Sequence, residues 1–122
     1  MALNHPNPPS NEPALIDVAE LERALQRFAD ERDWQRFHSP KNLAMALTGE
    51  VGELVELFQW RNEADSHAVA QDPGTARAVR DELADVLMYL VRLASVLGVD
   101  LNEAVVSKMA TNALKHPRNV GR

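Results

Sequence analysis

Four carboxylates, Glu50, Glu53, Glu82 and Asp85, stand inside two apolar segments, residues 49–60 (GEVGELVELFQW) and 80–93 (RDELADVLMYLVRL). Each segment spaces its two acids three residues apart, which on a helix sets them on one side, one turn from each other. At about 100° of rotation per residue, Glu50 falls between Leu57 and Leu43, and Glu82 between Tyr89 and Leu93. Both acids therefore lie within the apolar arcs. A charge aimed toward a core needs compensation. Four acids on two neighbouring helices repel one another unless a cation sits among them. An all-oxygen ligand set suits a hard divalent ion, Mg²⁺ or Mn²⁺. Neither helix contains the Glu-x-x-His pattern of a di-iron bundle. The plainer reading is that helical acids face solvent or pair with basic side chains. Glu56, Glu63 and Asp81 are assigned to that role, and Arg80, Arg92 and Lys108 are candidates to neutralise the others.

The elements that must position these acids are helices. Asp17 followed by Glu20 is a capping-box-like start, and Val18, Leu21, Leu25 and Phe28 form the apolar stripe of a first helix ending near Trp34. After a connector at 35–39, Ser39-Pro40 reads as an N-cap with proline at the first helical position. The second helix then runs to about Trp60 and buries Leu43, Leu47, Val51, Leu54 and Phe58. Residues 61–75 form a polar loop around Asp72-Pro73-Gly74, with a short helical piece near 67–70. A third helix follows over 76–97, stopped by Gly98, with Val79, Leu83, Val86, Leu87, Leu90 and Ala94 inward. Asp100 and Glu103 start a fourth helix, which runs to about Lys115 before Pro117. No strand pattern and no repeat is present. The fold class is all-α, a four-helix bundle, with broad apolar arcs that favour assembly as an oligomer. Residues 1–14, with four prolines, read as a disordered leader, 15–117 as the helical domain and 118–122 as a basic tail.

The 122 residues suit one domain, and 45% hydrophobic content supplies a modest core. A net charge of −5 argues against binding a nucleic acid polymer, although a metal ion can still bring a small phosphorylated substrate to acids. The absence of cysteine excludes disulfides, thiol catalysis and thiolate metal sites. No apolar run is long enough for a bilayer and no secretory signal is visible, so no membrane partner is expected and a cytoplasmic address is the default. Three aromatic residues, Trp34, Trp60 and Tyr89, can either pack a core or stack on a base. Lys108 and Asn112 continue the apolar stripe of the fourth helix as polar groups, which suits the mouth of a site or a surface ion pair.

The acid pairs, together with ERDWQRFHSPKNLAMALTGEVGELVELFQW (31–60), DELADVLMYLVRLASVLGVDL (81–101) and SKMATNALKHP (107–117), resemble the all-α nucleoside triphosphate pyrophosphohydrolases of the MazG-like superfamily. Within it, the run is most similar to the dCTP pyrophosphatase branch. The resemblance implies Mg²⁺-dependent hydrolysis between the α and β phosphates of a nucleoside triphosphate, dCTP or modified dCTP, in nucleotide-pool sanitation. It implies that Glu50, Glu53, Glu82 and Asp85 are the catalytic, metal-binding acids and that Lys108 and Asn112 contact the nucleotide. Trp34, His38, Trp60 and Tyr89 lie in segments that line the base pocket of that branch. The resemblance also implies a dimer, or a tetramer built from dimers, with the site completed by a neighbouring subunit. Among the acids, Glu53 is favoured to orient the attacking water, or all four are simple ligands. Some animal members carry a histidine where this chain has Leu25, which leaves the nucleotide preference open. Two other readings stand beside this one: a non-enzymatic helical oligomerisation or regulatory module, and a pyrophosphohydrolase with a different nucleotide preference.

Overall fold

The structure is a computed structural model that describes residues 16–118, so the leader at 1–14 and nearly all of the tail lie outside the described residues. Every regular element among the described residues is helical. Helix α1 (Val18–Glu31) is capped by the Asp17 side chain, which accepts from the Glu20 amide at 2.9 Å. Its end is a left-handed turn. Asp33 has φ of 55°, and the Trp34 amide reaches back to the Ala29 carbonyl at 2.9 Å. That turn closes α1 three residues earlier than the apolar stripe predicts and folds Trp34 back toward the helix, its ring edge-on to Phe28 at 5.5 Å. A 3-10 turn, Gln35–Phe37, leads to α2 (Pro40–Glu56), whose N-cap Ser39 accepts from the Asn42 amide.

Helix α2 stops at Glu56 rather than Trp60 because the chain tightens to i→i−3 bonds, Phe58 to Val55 and Arg61 to Phe58. The short helical piece is α3 (Glu63–Ser66), not 67–70. Asn62 caps it by accepting from the Asp65 amide, a start signal that the periodicity did not carry. Arg61 ties the rest of the loop to Asp72 at 2.8 Å. Helix α4 (Ala76–Leu97) ends as predicted at Gly98, in the left-handed region with φ of 71°, and α5 (Leu101–Lys115) starts at Asp100, which accepts from the Glu103 amide.

Helix α4 is the centre of the chain. It packs most extensively on α2 and to a lesser degree on α1, while α5 touches the other helices only slightly. The expected four-helix bundle is therefore, within one chain, a three-helix layer from which a fourth helix projects. The buried apolar core is small: Ala29, Leu43, Val69, Val79, Val91 and Ala94. Val51, Leu83 and Leu90, all predicted inward, are exposed. Two helix–helix seams cannot cover the apolar stripes of four helices. Along α5, Val105, Val106, Met109 and Leu114 are all open to solvent.

Candidate active site

The seam between α2 and α4 gathers Glu50, Glu53 and Glu82, one carboxylate oxygen of each lying within 4.8 Å of the others. Glu50 and Glu82 are half-buried and Glu53 is exposed. The Oε2 atoms of Glu50 and Glu82 are enclosed and no donor reaches either. Buried carboxylate oxygens without donors are costly. Two arrangements relieve that cost. One is a proton on Glu82, which turns its contacts with Glu50 and Glu53 into hydrogen bonds. Those bonds, with burial and the charges of its two neighbours, raise the Glu82 pKa to about 8. The other is a cation bonded to the same oxygens. Three converging oxygens with two enclosed lone-pair sites fit a hard divalent ion, which takes the remaining positions from water or substrate oxygens.

Asp85 stands apart from this triad. Three residues beyond Glu82 on α4, it lies about 60° back around the helix, and its side chain is one methylene shorter than glutamate. It lines a cavity of about 410 Å³ between α1 and α4. Leu21, Ala24, Leu25, Phe28 and Ala29 of α1 form one wall, Met88 and Tyr89 of α4 the other, and Trp34, His38 and Arg92 complete it. The size and lining suit a flat organic ring. Asp85 is thus the link between the two features, one helical turn from the acids and on the wall of the cavity.

The structure brings Trp34, His38 and Tyr89 together around this cavity. It does not bring Trp60, Lys108 or Asn112 there. Trp60 is 89% exposed just past the end of α2, and Lys108 and Asn112 are exposed on the projecting α5. Arg92 is the residue that pattern reading assigned differently. It was a candidate to neutralise the acids, yet it is only 5% exposed and makes no ion pair among the described residues. Its Nε donates to His38 Nδ1 at 3.0 Å and its Nη1 to Gln26 Oε1 at 2.7 Å. The signal was present in the spacing, since Asp85, Tyr89 and Arg92 recur at four and three along one helical face. Burial, and next the Arg92 charge, lower the His38 pKa below its ordinary value. Among the predicted surface pairs, Asp81 meets Arg77 at 3.9 Å.

This arrangement, a carboxylate triad on two packed helices, can be set against known proteins. The MazG-like family model matches residues 46–121, a span that holds all four acids, the second half of α2 and the whole of α4. The chain belongs to the MazG-like family. It is 50% identical over 113 residues to dCTP pyrophosphatase 1 of Rattus norvegicus and 47% identical to that of Homo sapiens. Those alignments take in 93% of the chain, which spans 65% of the length of these relatives. A solved pyrophosphatase from Archaeoglobus fulgidus superposes with a TM-score of 0.77 at 38% identity, over 88% of this chain and 98% of that one. The MazG-like chain thus shares its all-helical fold with a pyrophosphatase. No described helix is long and apolar enough to cross a membrane.

Proposed function

We propose that this MazG-like chain hydrolyses a nucleoside triphosphate, dCTP or a modified dCTP, to the monophosphate and pyrophosphate, and so clears the cytoplasmic nucleotide pool. The observation that carries the reading is the pair of enclosed, donorless oxygens on Glu50 and Glu82, set one turn from an aromatic-lined cavity. Glu50, Glu53 and Glu82, with Asp85 at the edge, would hold Mg²⁺ or Mn²⁺. Such an ion, when bound, offsets the negative charge of the triphosphate and polarises its phosphorus. Water attacks the α-phosphorus, the bond to the α–β bridging oxygen breaks, and pyrophosphate leaves. Glu53, the exposed member of the triad, is reachable by that water and can take its proton on a carboxylate oxygen. Trp34 and Tyr89 offer faces for the base.

Lys108 and Asn112 contribute in this reading as groups lent to a neighbouring subunit. Their own helix is too far from packed for them to serve within one chain, and its exposed Val105, Val106 and Met109 favour a homo-oligomer, a dimer or a tetramer built from dimers. The names of the relatives point to dCTP. A substrate panel tests this: dCTP, modified cytosine nucleotides, dTTP, dUTP, dATP and the ribonucleotides, with pyrophosphate and orthophosphate measured separately. Pyrophosphate release from cytosine nucleotides in the presence of Mg²⁺ is expected. Orthophosphate release, or inertness with no stabilisation by divalent cations, defeats the proposal and favours a regulatory module.

A further inference from the structure

The Arg92 side chain is a buried cation with no carboxylate on it among the described residues, and its two hydrogen bonds there go to neutral groups. We propose that Arg92 is a positioning residue that locks His38 as a neutral imidazole with its proton on Nε2, so that the cavity presents a fixed donor to an acceptor atom on the ring of its ligand. This rests on the reading of the cavity as the site for a heterocyclic base.

The donors and acceptors of the two side chains fix the tautomer. A guanidinium keeps its charge at all accessible pH and has donors only. Its Nε at 3.0 Å from His38 Nδ1 therefore requires a lone pair on that nitrogen. The remaining proton of the neutral ring must sit on Nε2. Protonating Nδ1 would set two donors and two positive charges against each other. Nε2 itself bonds to no described protein group, and the ring stands on the cavity wall, 6.0 Å from the Trp34 ring. A donor in that place, beside stacking faces, matches a carbonyl or ring-nitrogen acceptor of a flat heterocycle.

The counter-charge is relayed rather than direct. Arg92 Nη1 donates to Gln26 Oε1, and Gln26 Nε2 donates to Asp30 Oδ1 at 2.8 Å. Asp30 also accepts from Gln35, at the start of the 3-10 turn that leads to His38. The network thus ties α1, the 3-10 turn and α4 together behind the cavity. Besides His38, the ionisable groups on the cavity wall are Asp85, Tyr89 and Arg92, all of α4, while the α1 wall is uncharged.

Two measurements on the full chain decide it. Long-range ¹H–¹⁵N correlation of the histidine rings in the free protein should show His38 neutral with Nε2 protonated at pH 8, and a titration midpoint below the ordinary one near 6.5. In Arg92→Met, or in Arg92→Lys should the first not fold, His38 should titrate closer to the ordinary midpoint or mix tautomers. In steady-state turnover of dCTP, Arg92→Lys and His38→Phe should each raise KM about three- to tenfold, with a smaller change in kcat. His38→Gln, which keeps a donor, should recover part of the loss. A wild-type His38 protonated on Nδ1, or titrating at the ordinary midpoint, overturns the lock. An unchanged KM in both Arg92→Lys and His38→Phe overturns the recognition role. Wild-type protein that turns over no nucleotide defeats the proposed function instead, and the ring correlations then decide the lock alone.

Discussion

The two faces of α4 do opposite electrostatic work. Toward α2 it brings like charges together and leaves two acceptors without donors. Toward α1 it buries a cation, but that cation's hydrogen bonds among the described residues both go to oriented neutral groups. The first face is poised to change when a cation arrives. The second is already satisfied and holds its shape. One helix can carry both because Glu82 and Asp85 are three residues apart, a rotation that falls about 60° short of a full turn. Strain is thus concentrated where metal and phosphate are proposed to act, and rigidity where a base is proposed to be read.

Removing an acid from the strained face should have the largest effect. Glu50→Gln and Glu82→Gln are expected to cut kcat by on the order of a hundredfold or more. The metal-free proteins should unfold no more easily than wild type, since repulsion is relieved. Loss of activity accompanied by a large drop in melting temperature would instead mean that the triad is part of the packing. Next, Trp34→Ala on the cavity face should raise KM by about tenfold to a hundredfold, as expected for a lost stacking platform, with kcat little altered. A change confined to kcat would break the division of labour between the faces.

Metal-free stability against pH separates the faces by sign. Glu82 keeps its proton to about pH 8 when folded but loses it near the ordinary 4.5 when unfolded. The folded chain therefore binds the extra proton between those values, and stability falls as pH rises through that window. A divalent cation, which takes the deprotonated acids, should restore it most at the alkaline end. Chemical denaturation with and without Mg²⁺ from pH 4.5 to 8.5 measures this, and a flat difference across the range would refute the shared site. His38 contributes with the opposite slope. Its pKa is lowered in the folded state, so the unfolded chain binds more protons as pH drops below about 6.5 and stability declines there. That decline should be absent in His38→Phe. The smallest effect expected is that of Trp60→Ala on chain stability, within about 0.5 kcal/mol by denaturant melts, because the ring is open to solvent.

Much of this molecule was legible as local chemistry. Three of the four long-helix starts announced themselves as caps, Asp17, Ser39 and Asp100, each bonding the amide three residues on. Gly98 marked the end of α4 because only a residue without Cβ adopts its backbone freely. The end of α1 was not legible, because Asp33 occupies a left-handed conformation that its type permits but does not demand. The piece at 63–66 was missed for a related reason. Its Asn62 cap precedes a single turn too short to show periodicity.

Chain order alone settled which side chains share a helical face, since a fixed rotation per residue converts spacing into direction. That is how Glu50 could be paired with Glu53, and Glu82 with Asp85, from spacing alone. Which faces meet was decided by packing. Packing gathered Glu50, Glu53 and Glu82 at the α2–α4 seam and set Asp85 on the wall of the cavity beside α1. The same packing buried Arg92 against His38, 54 residues away, and left α5 only slightly in contact with the other described helices. Spacing carries no information about such contacts, because they depend on the angle and offset at which separate helices come to rest.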